Sequence, residues 1–361
     1  MSTTGLAPAP AEATPPAPRP APPRRTRTRT RTRTRTRTRT RTFEQANRRL
    51  KWAMLAPALL FVGAMIIFPL VFTLDLSASD AFGAVNAGKG YTGLTNFTDA
   101  LGDTRRFWPA VGRTVSFTVG AVLLETVLGL ALAMLLRKPF RGMRWVRTVL
   151  IVPLLAAPVA IGILWLLILD PTNGIANHLL ASVGLPRQEF LGSVGQSLPT
   201  LMLIDVWQWT PMMTLLLLAG LTTLPQEPEE AALVDGAGPW QRFRYVVLPM
   251  LAPTLATALV LRAVDALKTF DLLYATKGPG GGSDFEAETL NVYAYGLTFD
   301  YQEYGLAAAV LVLFTLFIIG VVVLMRRRGG GKNACPLQPD PFRRPPPRPA
   351  TGAAGPPPPP G

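Results

Sequence analysis

Glu125, Asp205, Arg262 and Asp265 stand deep inside long apolar stretches. A charge at membrane depth is costly, and such residues face a partner or a water-filled path. Arg262 and Asp265 are three apart, so on a helix they share a face and can pair. Two readings stay open: a packing pair, or a polar route near the membrane midplane. Trp207, Trp209 and Phe270 lie close by in sequence. Such rings anchor helices at the membrane interface, and their apolar faces can also take a stacked solute. Asp205, Trp209, Asp265 and Phe270 are the candidate substrate-path residues.

Other chemistries lack their parts. The chain has one histidine, His178, read as a loop residue, and one cysteine, Cys335. A disulfide needs two cysteines and a zinc site three or four ligands, so no metal site is expected. The stretch GGGKN at 329–333 lacks the glycine spacing and the following Ser or Thr of a phosphate loop, and GPGGGS at 278–283 lacks its lysine. No nucleophile–base pair or paired-carboxylate site is legible. No catalytic residue is assigned, no cofactor is expected on this chain, and the reading is of a non-enzymatic protein.

The elements that must position these residues are membrane spans. The chain has 361 residues, 49% of them hydrophobic. Six apolar segments reach the roughly 20 residues a span needs: about 52–74, 114–136, 145–169, 198–224, 246–267 and 306–325. The expected fold is all-α, a polytopic membrane protein with six transmembrane helices. Residues 1–47, Ala/Pro-rich and then Arg-Thr repeats, offer nothing to bury and read as a disordered tail. Residues 48–328 form the membrane domain, and 329–361 a Gly/Pro-rich disordered tail.

The formal net charge of +14 belongs to those tails. Residues 1–51 carry net +12 and residues 326–361 net +6, leaving 52–325 at net −4. A nucleic-acid-binding domain is basic on its folded surface, so no nucleic-acid partner is expected. A membrane tether holding nucleic acid through the Arg-Thr run is the weaker alternative. The connector RKPFRGMR at 137–144 carries four basic residues and no acid, and Arg326, Arg327 and Arg328 follow the last segment. By the positive-inside rule both termini are expected in the cytoplasm.

The connector between the fourth and fifth segments then also lies inside, yet it carries Glu227, Glu229, Glu230 and Asp235 against Arg242 and Arg244. Pro225 and Pro228 suit a helix start, and Glu229 and Glu230 suit its first turn. Gly236, Gly238 and Pro239 end that helix in a tight turn. Trp240 to Tyr245 would form a second short helix before Leu248-Pro249. The result is a rigid helix-turn-helix whose small residues let a partner approach.

This stretch resembles the EAA motif of inner-membrane permease subunits of ATP-binding-cassette importers. Its elements here are Glu230, Ala231, Ala232, Gly236, Val246, Leu248 and Pro249, with Asp235 beside the glycine. The resemblance implies a type I importer permease fold with a cytoplasmic coupling loop at about 225–249. That loop would dock on a separate ATPase dimer, which consumes the ATP. It further implies a second permease subunit, an extracytoplasmic solute-binding protein and a bacterial inner (plasma) membrane location. The segments DPTNGIANHLLASVGLP at 170–186 and LKTFDLLYATKGPGG at 267–281 are similar to the carbohydrate branch, the permeases for maltose and glycerol-3-phosphate. The chain lacks the large extra domain between early spans of the maltose protein and matches the first-permease type. A sugar or sugar derivative is the implied substrate, with a peptide or polyamine as the alternative.

Overall fold

The computed structural model describes residues 33–85, 90–138 and 140–330, without the side chains of 33–50 and 328–330. The tail readings for 1–32 and 331–361 lie outside them. Contact patterns divide the chain into two compact units, 1–68 and 69–361. In chain order the helices are α1 (Arg33–Ser77), α2 (Thr95–Gly102), α3 (Phe107–Leu136), α4 (Met143–Leu155) and α5 (Pro158–Ile168). Then come α6 (Ile175–Ser182), α7 (Val194–Thr222), α8 (Glu227–Val234) and α9 (Pro239–Arg242). After a π-helical turn, Phe243–Val247, follow α10 (Leu248–Leu267), α11 (Asp271–Lys277), α12 (Leu290–Phe299) and α13 (Tyr304–Gly330). Among the described residues the only β pairing is two isolated bridges, Ser79 with Tyr91 and Phe82 with Glu303. The all-α expectation holds.

Among the described residues, five stretches are long and apolar enough to cross a membrane: Lys51–Ser77, Phe107–Leu136, Val194–Thr222, Pro239–Lys277 and Tyr304–Arg327. The sixth departs from the expectation of one continuous helix over 145–169. It is the pair α4 and α5, bent by 99°. Pro158 opens α5, and a proline pushes the residue before it out of the helical region. Ala157 is extended at ψ 139°, as is Ala156 at ψ 141°.

Two further boundaries differ from expectation. Helical backbone begins at Arg33, inside the Arg-Thr run expected to be structureless up to residue 47. Arginine is itself a good helix former, and the run leads directly into the first apolar segment. His178, expected in a loop, is an exposed residue of the short α6.

The core of the second unit is the packing of α3 on α7. Small residues set the approach: a Cβ added at Gly129 would stand 2.9 Å from the Met213 Cβ and 3.1 Å from the Thr214 nitrogen. Where α7 meets α10, a Cβ at Gly220 would stand 2.6 Å from Thr254 Cγ2 and 3.0 Å from Leu251 Cδ1. In membranes such close backbone approach replaces the missing hydrophobic drive between helices. One apolar cluster, with Ala133, Leu136, Leu217, Leu221, Val247 and Leu251, joins α3, α7 and α10 near their α8 side. Another, with Phe117, Ile161, Leu201, Ile204, Leu272 and Val292, joins α3, α5, α7, α11 and α12.

Candidate functional site

The intramembrane charges come from three different helices. Arg262 on α10 is fully buried. Its Nε donates to Glu125 Oε2 at 2.6 Å and its Nη2 to Glu125 Oε1 at 2.9 Å, a bidentate pair with α3. Nη2 also donates to Asp205 of α7, and Nη1 reaches Asp265 Oδ2 at 3.2 Å. The guanidinium lies 5.1 Å from the Trp209 ring centre, within cation–π range. Its planar fork suits this many acceptors, which a lysine ammonium would not. The Arg262–Asp265 pairing legible in the sequence is therefore one arm of a larger cluster.

That cluster backs onto a cavity of about 180 Å³ lined by Pro158, Asp205, Gln208, Trp209, Asp265, Lys268, Thr269, Phe270, Asp271 and Leu272. All four candidate substrate-path residues, Asp205, Trp209, Asp265 and Phe270, line this one space. Asp205 is buried and committed to Arg262, whereas the Asp265 side chain is 47% exposed. Trp207 stands elsewhere, edge-on to Trp165 with ring centres 5.6 Å apart. Two residues along a helix turn a side chain through about 200°, which separates the tryptophans.

Sequence reasoning missed Gln208, Lys268, Thr269 and Asp271 in this lining. Gln208 is buried; its Nε2 donates to Ala156 O at 3.4 Å, and its Oε1 has no partner among the described residues. The signal was the polar run D-V-W-Q-W-T inside an apolar span. The bend at Pro158 frees the Ala156 carbonyl and brings the proline into the cavity wall. Asp265 and Asp271 offer hydroxyl acceptors, Lys268 a donor, and Trp209 and Phe270 apolar faces. This combination can bind a polyhydroxylated ring.

The second candidate region is 225–249. No residue of α8 is buried. Glu230, Ala231, Asp235 and Gly236 are exposed and Ala232 is half-buried. Gly236 takes φ +81°, and its N–H bonds to Leu233 O at 3.1 Å while the Ala237 N–H bonds to Ala232 O at 2.9 Å. This doubly bonded turn is the Schellman arrangement, which needs a left-handed residue just after the helix. Gln241 Oε1 accepts from the Gly238 N–H at 2.8 Å and fixes the start of α9. Val246 and Leu248 are half-buried and Pro249 is exposed, while neighbouring Val247 is buried. The expected separate second helix is corrected: α9, the π turn and α10 run on without a break, and the wider π turn, in which the Leu248 N–H bonds back to Phe243 O, stands just ahead of Pro249, whose missing N–H it accommodates.

A third cluster orders the loop between α11 and α12. Arg106 pairs with the buried Glu288 at 2.5 Å, and its guanidinium lies 4.4 Å from the Phe285 ring centre and 5.0 Å from that of Tyr293. Lys277 pairs with Glu286 at 2.6 Å. Burial raises the Glu288 carboxyl above its ordinary value, against the pull of Arg106. Burial opposes ionisation of Glu286 too, but its hydrogen bond from Lys277 holds it below the ordinary value.

Comparison with known proteins places this geometry. Residues 125–328 match the family described as "Binding-protein-dependent transport system inner membrane component". The chain is 34% identical over 265 residues to the trehalose/maltose transport system permease protein MalF of Thermococcus litoralis, covering 73% of this chain and 88% of that one. It is 33% identical over 268 residues to the trehalose transport system permease protein SugA of Mycobacterium tuberculosis, covering 74% and 84%. A chain of the bacterial alginate ABC transporter, crystallised with its alginate pentasaccharide-bound periplasmic protein, superposes with a TM-score of 0.70 over 80% of this chain and 96% of that one, at 22% identity. The fold is thus that of an ATP-binding-cassette transporter permease, and the chain belongs to the binding-protein-dependent transport system inner membrane component family.

Proposed function

We propose that the chain is the permease subunit of an ATP-driven importer and forms part of the path for a sugar or sugar derivative. The observation that carries this is the cavity between α5, α7, α10 and α11. It sets Asp265, Asp271, Lys268 and the unpartnered Gln208 Oε1 beside the rings of Trp209 and Phe270. Such a mixture of hydrogen-bonding groups and stacking faces suits a hydroxylated ring better than an extended peptide backbone. The relatives described above, a trehalose/maltose and a trehalose permease, point the same way.

The chain itself does no chemistry and holds no cofactor. ATP is consumed by a partner ATPase dimer that receives α8 and its Gly236 turn, a segment whose exposed Leu233, Val234 and Trp240 lack cover in this chain. A second permease subunit completes the path, and an extracytoplasmic binding protein delivers the solute. The chain sits in the bacterial inner membrane. The basic 137–144 connector and Arg326 to Arg328 support a cytoplasmic side for both termini and the α8–α9 segment.

A mild-detergent pull-down from the native membrane tests this. An ATP-binding-cassette ATPase and a second permease should co-purify, and the solute-binding protein encoded beside them should bind a sugar on titration. A chain recovered alone, or with nucleic acid only, would overturn the reading. A peptide or polyamine on the binding protein would replace the substrate class but keep the machine.

A further inference from the structure

No residue of the helix α8 is fully buried, so its ends do much to set its direction. One end is held by the Gly236 turn into α9. At the other, Arg137, the residue that closes α3, places Nη1 2.6 Å from Oε2 of Glu229 in the first turn of α8. Both side chains are largely covered, at 20% and 27% exposure. A basic group at a helix C-terminus and an acidic group at an N-terminus each sit where the local dipole favours them. The two helix ends therefore reinforce the Coulomb attraction between the side chains.

We propose that Arg137 and Glu229 are positioning residues, a strut that holds the coupling helix against the end of α3. This rests on reading α8 as the ATPase-facing element. Two links then run from α8 into the membrane. One is the unbroken helix from α9 to α10, which carries Arg262; the other is the strut to α3, which carries Glu125. Both end on the same buried ion cluster. Displacement of α8 by an ATPase would bear on α3 and α10 together, the two helices that Arg262 joins beside the cavity. A partly exposed ion pair contributes little to global stability, so the strut governs the pose of α8, not whether the chain folds.

The test is a distance between spin labels on Leu135→Cys and Val234→Cys, both exposed sites, in a chain also carrying Cys335→Ser. The full-length chain is purified with its co-purifying subunits into lipid nanodiscs. The parent should give one narrow distance distribution. Arg137→Glu or Glu229→Arg alone should broaden it about twofold or more, and the two reversals together should narrow it part of the way back, since each swapped charge then opposes its helix dipole. Unchanged distributions in both single variants, or a double reversal as broad as the singles, would overturn the strut. Where a reversal blocks assembly, Arg137→Gln and Glu229→Gln are measured against the same criterion. ATPase recovery is scored in parallel on the parent and variants without the cysteine substitutions and labels, because Val234 lies in the docking segment. A parent that brings down no ATPase removes the docking reading, whereas unaltered distances remove only the strut.

Discussion

Arg262 of α10 and Glu125 of α3, 137 residues apart in sequence, form a bidentate ion pair with both side chains fully buried. Asp205 of α7 completes the link, so one guanidinium joins three helices beside the cavity.

Removing one member of such a pair leaves an uncompensated buried charge, at a cost of about 3–5 kcal/mol. Arg262→Met should therefore lower the thermal unfolding midpoint of the detergent-solubilised protein more than any single carboxylate-to-amide change in the cluster. An unchanged midpoint in Arg262→Met would show that the cluster does not hold α3, α7 and α10 together.

The Gly236 turn makes a different kind of prediction. A Cβ there would meet nothing within 4 Å, so substitution acts through the backbone at φ +81° and not through a clash. Gly236→Val should cost about 1–2 kcal/mol locally, and Gly236→Asn less, since asparagine tolerates this conformation. ATPase recovery in pull-downs should fall in the order glycine, asparagine, valine, with the thermal midpoint of the membrane body unmoved. Full recovery with valine would sink the docking assignment.

Asp265 is half-exposed to the cavity while also bonding Arg262 at 3.2 Å, so it can be altered with less structural damage than Asp205. Losing a charged hydrogen bond to solute corresponds to about tenfold or more in binding. Asp265→Asn and Trp209→Ala should each lower uptake of the binding protein's solute by that order in the reconstituted importer, with assembly intact. Wild-type uptake by both variants would place the path elsewhere.

The loop between α11 and α12 should respond to acid. Glu286 titrates below its ordinary 4.5, so its contribution is present above pH 4.5 and lost as pH falls through its lower folded value. Asp103 behaves likewise: burial opposes its charge, but the Arg106 N–H, the Tyr293 hydroxyl and the Arg105 N–H hold it below 3.8. Glu288 has the opposite sign, being raised by burial, and its contribution is present below pH 4.5 and lost as pH rises through its folded value. Amide exchange across 282–289, corrected for intrinsic rates, should accelerate below about pH 4.5 as Glu286 and Asp103 protonate. Glu286→Gln should flatten that response; an identical pH profile in the variant would exclude the Lys277–Glu286 pair as its cause.

The membrane body was legible in sequence because span length is imposed by the bilayer and helix propensity is local. The Glu230-Ala231-Ala232 to Gly236 spacing was legible for the same reason: a helix of two turns and its glycine stop lie within a few residues of one another. The candidate path was half legible. Asp205, Trp209, Asp265 and Phe270 stood out as polar or aromatic residues in apolar surroundings, but Gln208 was overlooked. The polar run around Gln208 was visible in the sequence, but its unpaired atom beside a cavity depends on neighbours far along the chain. Arg137 and Glu229 were each visible, one as a positive-inside charge and the other as a first-turn acid, and nothing local linked them.

By itself, the sequence determined an all-helical membrane chain with basic ends and a glycine-turned connector, since each of these depends on residues close together. The tertiary structure alone decided that Arg262 reaches Glu125 and Asp205 as well as its neighbour Asp265. It also decided that Trp209 faces the cavity and Trp207 does not, and that the third span breaks at Pro158. Those outcomes depend on which helices lie side by side and how they are rotated. In this chain that was settled where Gly129 lets α3 close on α7, a contact between residues far apart in sequence.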